Sequence, residues 1–172
     1  MRSLVLVLAL AQPISTPPQT DTVVERGRAG PVAIGASAES VYDRFRERAK
    51  LVDLKLEGML SPALELRLFG AQTTMIAEIG AANNRLVITR ISVVDPSVRT
   101  KDGIGVGSTY DELRARYRVD WVGSGEGGYY ARVESLGISF QLDSSRRQNL
   151  SEVRDPNAVP PDVRVLSLLL TR

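Results

Sequence analysis

Two stretches of this chain resemble each other, and the resemblance constrains the fold more than any other feature. Residues 32–45, VAIGASAESVYDRF, align without a gap to residues 104–117, IGVGSTYDELRARY. Gly35 meets Gly107, and most of the other aligned pairs are identical or chemically alike. Internal similarity of this kind predicts that one folding unit occurs twice.

The segments that follow the two stretches also agree. Each is followed by an alternating apolar and polar stretch, at 63–70 and 137–144, and each half ends on a β-rich run, at 85–94 and 163–172. Alternation with a period of two predicts half-buried strands. We therefore expect an α+β fold of two tandem repeats, 28–98 and 99–172. Each repeat would pack a helix on an antiparallel sheet of about three strands.

Each copy contains the residues that start a helix. Gly35 and Gly107 allow a sharp turn of the backbone, because glycine has no Cβ to clash. Ser37 is the best cap in the first copy, and Ser108 or Thr109 serves in the second. The spacing of Thr109 and Glu112 fits a capping box.

The segment KDGIGVGST, residues 101–109, also looks like a phosphate loop, but it meets neither common motif. No lysine precedes Ser108, as a Walker loop requires, and no glycine lies three residues after Gly105, as a dinucleotide fingerprint requires. A small anion at this helix start is the alternative to a purely structural role. The candidate anion-binding residues are Gly103, Gly105, Gly107, Ser108 and Thr109.

The composition argues against several classes of function. The chain has no cysteine and no histidine, so it lacks a thiol nucleophile, the commonest general base and the commonest neutral metal ligand. We predict no enzyme activity, no metal site and no cofactor. The formal net charge is +2, which does not indicate nucleic-acid binding.

The N-terminus, MRSLVLVLALAQPISTPPQT, predicts export from the cytoplasm. A basic residue precedes the apolar run Leu4–Leu10, and Ala9-Leu10-Ala11 fits the pattern of a signal-peptide cleavage site. The run is too short to span a bilayer. We interpret residues 1–22 as a short signal peptide and a tether, with an apolar strand or disorder as the alternative. The predicted location is periplasmic or secreted.

Two regions are candidates for contact with a partner. Residues 121–130, WVGSGEGGYY, place Trp121, Tyr129 and Tyr130 around a glycine-rich turn. Neighbours on a strand point to opposite faces, so we expect one of the two tyrosines to be exposed. The second region is 144–161, a long connection that contains Arg146 and Arg147, for which disorder and partner contact are both open.

The stretches IGASAESVYDRF and VGSTYDELRARY, with the strands expected after them, resemble the BamE-type (SmpA/OmlA) envelope lipoproteins and the tandem-repeat β-lactamase inhibitor proteins. The chain also resembles uncharacterised exported bacterial proteins. The resemblance implies helices packed on antiparallel sheets and a role in binding other proteins. This chain lacks the cysteine that would carry a lipid.

The sequence thus predicts a non-enzymatic cell-envelope module that binds another envelope protein. Two alternatives stay open. One is inhibition of a secreted hydrolase, such as a β-lactamase or a cell-wall enzyme, through the aromatic turn. The other is binding of a small anion at 103–109.

Overall fold

The computed structural model describes residues 22–56, 58–145 and 149–171. Within these ranges the chain is mostly β: twelve strands form a four-stranded and an eight-stranded sheet. The two α-helices are short, α1 at Ala38–Phe45 and α2 at Tyr110–Arg116.

The small sheet has the order β3-β2-β1-β8. Its strands are β1 Val23–Glu25, β2 Arg28–Ala29, β3 Val32–Ala33 and β8 Arg99–Thr100. Val24 pairs in parallel with Thr100, so the segment before α1 is held beside the segment before α2.

The large sheet is antiparallel throughout and has the order β4-β5-β6-β7-β12-β11-β10-β9. The first four strands are β4 Ala49–Leu56, β5 Met59–Leu66, β6 Met75–Ala82 and β7 Arg85–Val93. The second four are β9 Trp121–Gly125, β10 Gly128–Val133, β11 Ile138–Leu142 and β12 Val165–Leu170.

The predicted fold class is wrong. The chain does not form two repeats of a helix on a three-stranded sheet, because the last strands of the two halves pair with each other. Val93 of β7 lies opposite Leu168 of β12, which joins all eight strands into one sheet. An alternating pattern in the sequence identifies a strand but not the strand that pairs with it. The strands β4 and β9, at the two edges of the large sheet, were not expected.

The segments before the two helices make matching contacts with the two central strands of this sheet. The amide of Gly35 donates to Ile88 O at 2.7 Å, and the amide of Gly107 donates to Val165 O at 2.8 Å. Each glycine segment therefore pairs with the last strand of its own half, and each has positive φ at the glycine. These contacts fix where α1 and α2 begin.

The core lies on one face of the large sheet, under the helices. Ala38 and Val41 of α1 and Tyr110 and Leu113 of α2 are buried in the same apolar cluster as the inward side chains of both halves. The other face of the sheet carries polar side chains and partly exposed groups.

Candidate functional site

The glycine loop of residues 101–109 closes around the side chain of Arg99. Its Nη1 donates to Gly103 O at 2.9 Å and its Nε donates to Pro96 O at 3.0 Å. Nη2 donates to Val106 O at 3.4 Å. The guanidinium therefore binds carbonyl oxygens of the loop, which is a structural role.

The amides that would bind an anion already have acceptors within the protein. Gly103 donates to Thr100 O, Gly105 to Ser108 Oγ, Gly107 to Val165 O, Ser108 to Gly105 O, and Thr109 to Glu112 Oε2. The Glu112 carboxylate occupies the place at the helix start that an anion would take. Anion binding stays a prediction, and this geometry adds no support to it.

The aromatic residues of the 121–130 turn lie on opposite faces of the sheet. Tyr129 is in the core, where its hydroxyl donates to Val153 O at 3.2 Å. Tyr130 is on the outer face, and its hydroxyl donates to Glu126 O at 2.7 Å. The expectation that one tyrosine is exposed is wrong, because the β9–β10 turn folds back over Tyr130. Trp121 is 42% exposed.

Trp121 borders a shallow cleft of about 400 Å³ on the outer face, beside Arg132. Its polar wall includes Arg90, whose Nη1 lies 3.0 Å from Glu126 Oε2 and whose Nε lies 3.4 Å from Glu78 Oε1. Burial raises the pKa of Glu78, and the charge of Arg90 opposes that rise. The cleft combines an aromatic ring with charged groups, of which Arg90 and Glu126 pair with each other.

Arg146 and Arg147 lie outside the described residues. Residues 149–163, which include most of that connection and the two residues after it, pack on the protein. We call them the cover segment. Its side chains Leu150, Val159 and Val163 are buried in the core cluster. This packing does not fit the interpretation as disorder, and partner contact at this connection stays a prediction.

Three side-chain hydrogen bonds hold the cover segment over α2 and the neighbouring strands. Tyr110 Oη donates to Pro156 O at 2.8 Å, Tyr129 Oη to Val153 O at 3.2 Å, and Ser124 Oγ to Ser151 O at 2.9 Å. These donors come from α2, β10 and β9. The segment therefore fills the space between α2 and the sheet and reaches the edge strand.

The corresponding space beside α1 is open and was missed by the sequence analysis. It is a cleft of about 800 Å³ between α1 and the sheet, which we call the α1 cleft. Its lining includes Tyr42, Leu51, Leu64, Ile79, Arg85 and Leu86. Tyr42, Leu51 and Leu86 are exposed, as are Met59 and Leu60 at the β4–β5 hairpin.

Positions in the two halves can be matched through the strand registers. Leu51 and Val122 each lie three strands outward from the central strands, in the rows of Ile91 and Leu168. Ile91 and Leu168 each follow by three residues the strand residue that the glycine segment contacts. Leu51 is 62% exposed, whereas Val122 is 0% exposed. Leu86 lies two residues before Ile88, and Val163 lies two residues before Val165, which are the residues that the glycine segments contact. Leu86 is 61% exposed, whereas Val163 is 4% exposed.

One sequence signal could have revealed this difference. The connection between the last two strands is short in the first half, at Asn83–Asn84, and long in the second half. The long connection was recognised, but what it covers depends on tertiary packing.

Two classes of feature are absent from the described part of the chain. No cluster of three or more acidic side chains there could hold a metal ion. Among the same residues, no helix has the length and apolar character needed to cross a membrane.

No family model matches this chain, and no curated protein matches it. A crystal structure of the uncharacterized protein YfeY from Escherichia coli is similar, with a TM-score of 0.61 and 17% sequence identity. The similarity covers 88% of this chain and 99% of that chain. At this identity the likeness concerns the fold alone.

Proposed function

We propose that this chain is a non-enzymatic protein-interaction module of the bacterial cell envelope and that the α1 cleft is its binding surface. The compartment rests on the N-terminal sequence. The binding role rests on one observation: large apolar side chains lie exposed around a cleft between a helix and a sheet.

The exposed groups lie close together in the fold. Leu51 and Leu86 line the cleft with Tyr42. Leu60 lies on the same face of β5 as the cleft residue Leu64, whereas Met59 points to the other face. Covering one leucine side chain completely yields about 1.5–3 kcal/mol. Contiguous apolar patches on a monomer mark interaction sites more often than chance.

The experiment compares capture of envelope proteins by the intact chain and by a Leu51→Ser, Leu86→Ser double variant. We expect the double variant to lose a partner that the intact chain retains. Both leucines are exposed, so the free energy of unfolding should change by only about 0.5 kcal/mol per site. Urea denaturation checks this.

Trp121→Ala serves as the matched control, since Trp121 is also exposed but lies in the outer-face cleft. We expect this variant to retain the partner. If the partner is lost with Trp121→Ala and kept by the double leucine variant, the α1 cleft is not the binding surface.

Trp121 also carries the second candidate function, inhibition of a secreted hydrolase. Tyr129 and Tyr130 are buried, so Trp121 is the aromatic group of this turn that could enter an enzyme cleft. Inhibition of a β-lactamase or cell-wall hydrolase by the intact chain, abolished by Trp121→Ala, would favour this function.

A further inference from the structure

The protein covers one of two matching clefts with its own chain and leaves the other open. In the second half, the cover segment lies between α2 and the sheet and buries Leu150, Val159 and Val163. In the first half, the strands at the same place are joined by the turn Asn83–Asn84. Both asparagines have positive φ, as in a tight hairpin, so this connection has no residues that could cover the α1 cleft.

The covered cleft shows what kind of occupant this architecture accepts. Leu150 and Val153 lie three residues apart, and Leu150 is buried while Val153 packs partly buried against the core. Backbone carbonyls of the segment, at Ser151, Val153 and Pro156, accept hydrogen bonds from side chains of the sheet and helix. The occupant is a non-helical segment, interrupted by 3₁₀ turns, with aliphatic anchors.

The open cleft also has charges available for an occupant. Glu39 on α1 and Arg85 on β7 both line it. Among the described residues, neither side chain has an ion-pair partner. In the cover segment, a basic and an acidic residue, Arg154 and Asp155, follow directly after the anchor Val153. In the cover segment both charges bond within the segment, so a partner segment needs charges of its own that face Glu39 and Arg85.

We propose that the α1 cleft binds an extended segment of a partner polypeptide built like the cover segment. The segment would carry two aliphatic residues three positions apart and charges complementary to Glu39 and Arg85. The inference rests on the proposed function and adds to it the chemistry of the partner.

The test uses the full chain and a synthetic peptide of residues 149–161, NLSEVRDPNAVPP. Methyl groups of the protein are observed by NMR during the titration. We expect saturable shifts at Leu51, Ile79 and Leu86, with a Kd of about 1 mM or tighter. A peptide carrying Leu150→Ser and Val153→Ser should cause no such shifts, because it lacks the anchors.

Two protein variants sharpen the test. Leu51→Ser with Leu86→Ser should weaken peptide binding about tenfold or more. Arg85→Glu should weaken binding less than the leucine pair does, because the charges of this peptide bond within the segment. The peptide variants keep the test valid even if a protein variant folds poorly.

Three results would overturn the inference. One is the absence of saturable shifts at several millimolar peptide, and another is shifts confined to Val122 and Leu142, beside the protein's own cover segment. The third is a difference in the methyl shifts of the α1 cleft between the full chain and a chain that begins at Thr22. Residues 1–21 would then be the occupant of the cleft. If capture of a partner still depends on Leu51 and Leu86, the proposed function survives such a result.

Discussion

At the residue scale, glycines of strand β9 make room for aromatic rings. A Cβ at Gly123 would overlap Cζ2 of Trp121, so the indole lies directly over this glycine. A Cβ at Gly125 would lie 3.3 Å from Cδ2 of Tyr130. The sequence suggests that these glycines belong to a flexible turn, but both lie in a strand, where the missing side chain gives the rings a flat surface.

We expect Gly123→Ala to lower the free energy of unfolding by about 1–3 kcal/mol, because the new methyl group forces the indole out of its place. The chain has one tryptophan, so its fluorescence emission reports the displacement of Trp121 directly. Urea denaturation followed by circular dichroism measures the stability change.

The control is the same substitution in a Trp121→Ala background. There the added methyl group has no ring to displace, so the loss should largely disappear. An equal loss in both backgrounds would show that strain elsewhere in β9 is responsible.

At the element scale, the two helices have caps of different strength. In α1, Ser37 Oγ accepts one hydrogen bond, from the amide of Ser40 at 3.3 Å. In α2, Thr109 Oγ1 accepts from the amide of Glu112 at 3.2 Å, and Glu112 Oε2 accepts from the amide of Thr109 at 2.7 Å. The sequence spacing predicted this capping box, and the prediction is confirmed.

We expect Thr109→Ala to lower the free energy of unfolding by about 1 kcal/mol at neutral pH, because alanine has no oxygen to accept the hydrogen bond from the amide of Glu112. Urea denaturation is the measurement. A loss no larger than that of an exposed surface substitution would contradict the assignment of the cap.

The cap should also give the stability a dependence on pH. The backbone hydrogen bond from Thr109 lowers the pKa of Glu112 below its ordinary value of 4.5. A lowered pKa in the folded state means that the stabilising effect is present above pH 4.5 and is lost as the pH falls through the lowered pKa. Glu112→Gln should therefore flatten this part of the curve of unfolding free energy against pH. An unchanged curve would contradict the assignment.

At the scale of the whole molecule, the two halves share one sheet and one core. The pairing of Val93 with Leu168 joins them, and both residues are fully buried. The apolar cluster extends from Val24 to Leu170 without a break between the halves. Each half therefore depends on the other for part of its burial.

We expect a single unfolding transition. Trp121 fluorescence, which reports on the second half, and far-ultraviolet circular dichroism, which reports on all strands, should give the same midpoint in urea. Leu168→Ala should lower that common midpoint, with a loss of about 2–5 kcal/mol. Two separate transitions would show that the halves fold independently.

Local features were largely predictable from the sequence. The glycine segments before Ala38 and Tyr110 start helices, and the alternating runs at 85–94 and 163–172 form strands. The candidate binding residues were less predictable, since Tyr129 and Tyr130 are buried and the α1 cleft was not foreseen. Exposure depends on what packs over a residue, and that covering chain can come from anywhere in the sequence.

The sequence by itself determined where the two helices begin, that the runs at 85–94 and 163–172 form strands, and the lack of thiol and imidazole chemistry. These properties follow from neighbouring residues and from composition. Only the tertiary structure decided that β7 pairs with β12 and that Val122 is buried while Leu51 is exposed. The physical reason is that strand pairing and burial are set by contacts between distant segments. An apolar side chain on an edge strand is therefore buried in one half, at Val122, and exposed in the other half, at Leu51.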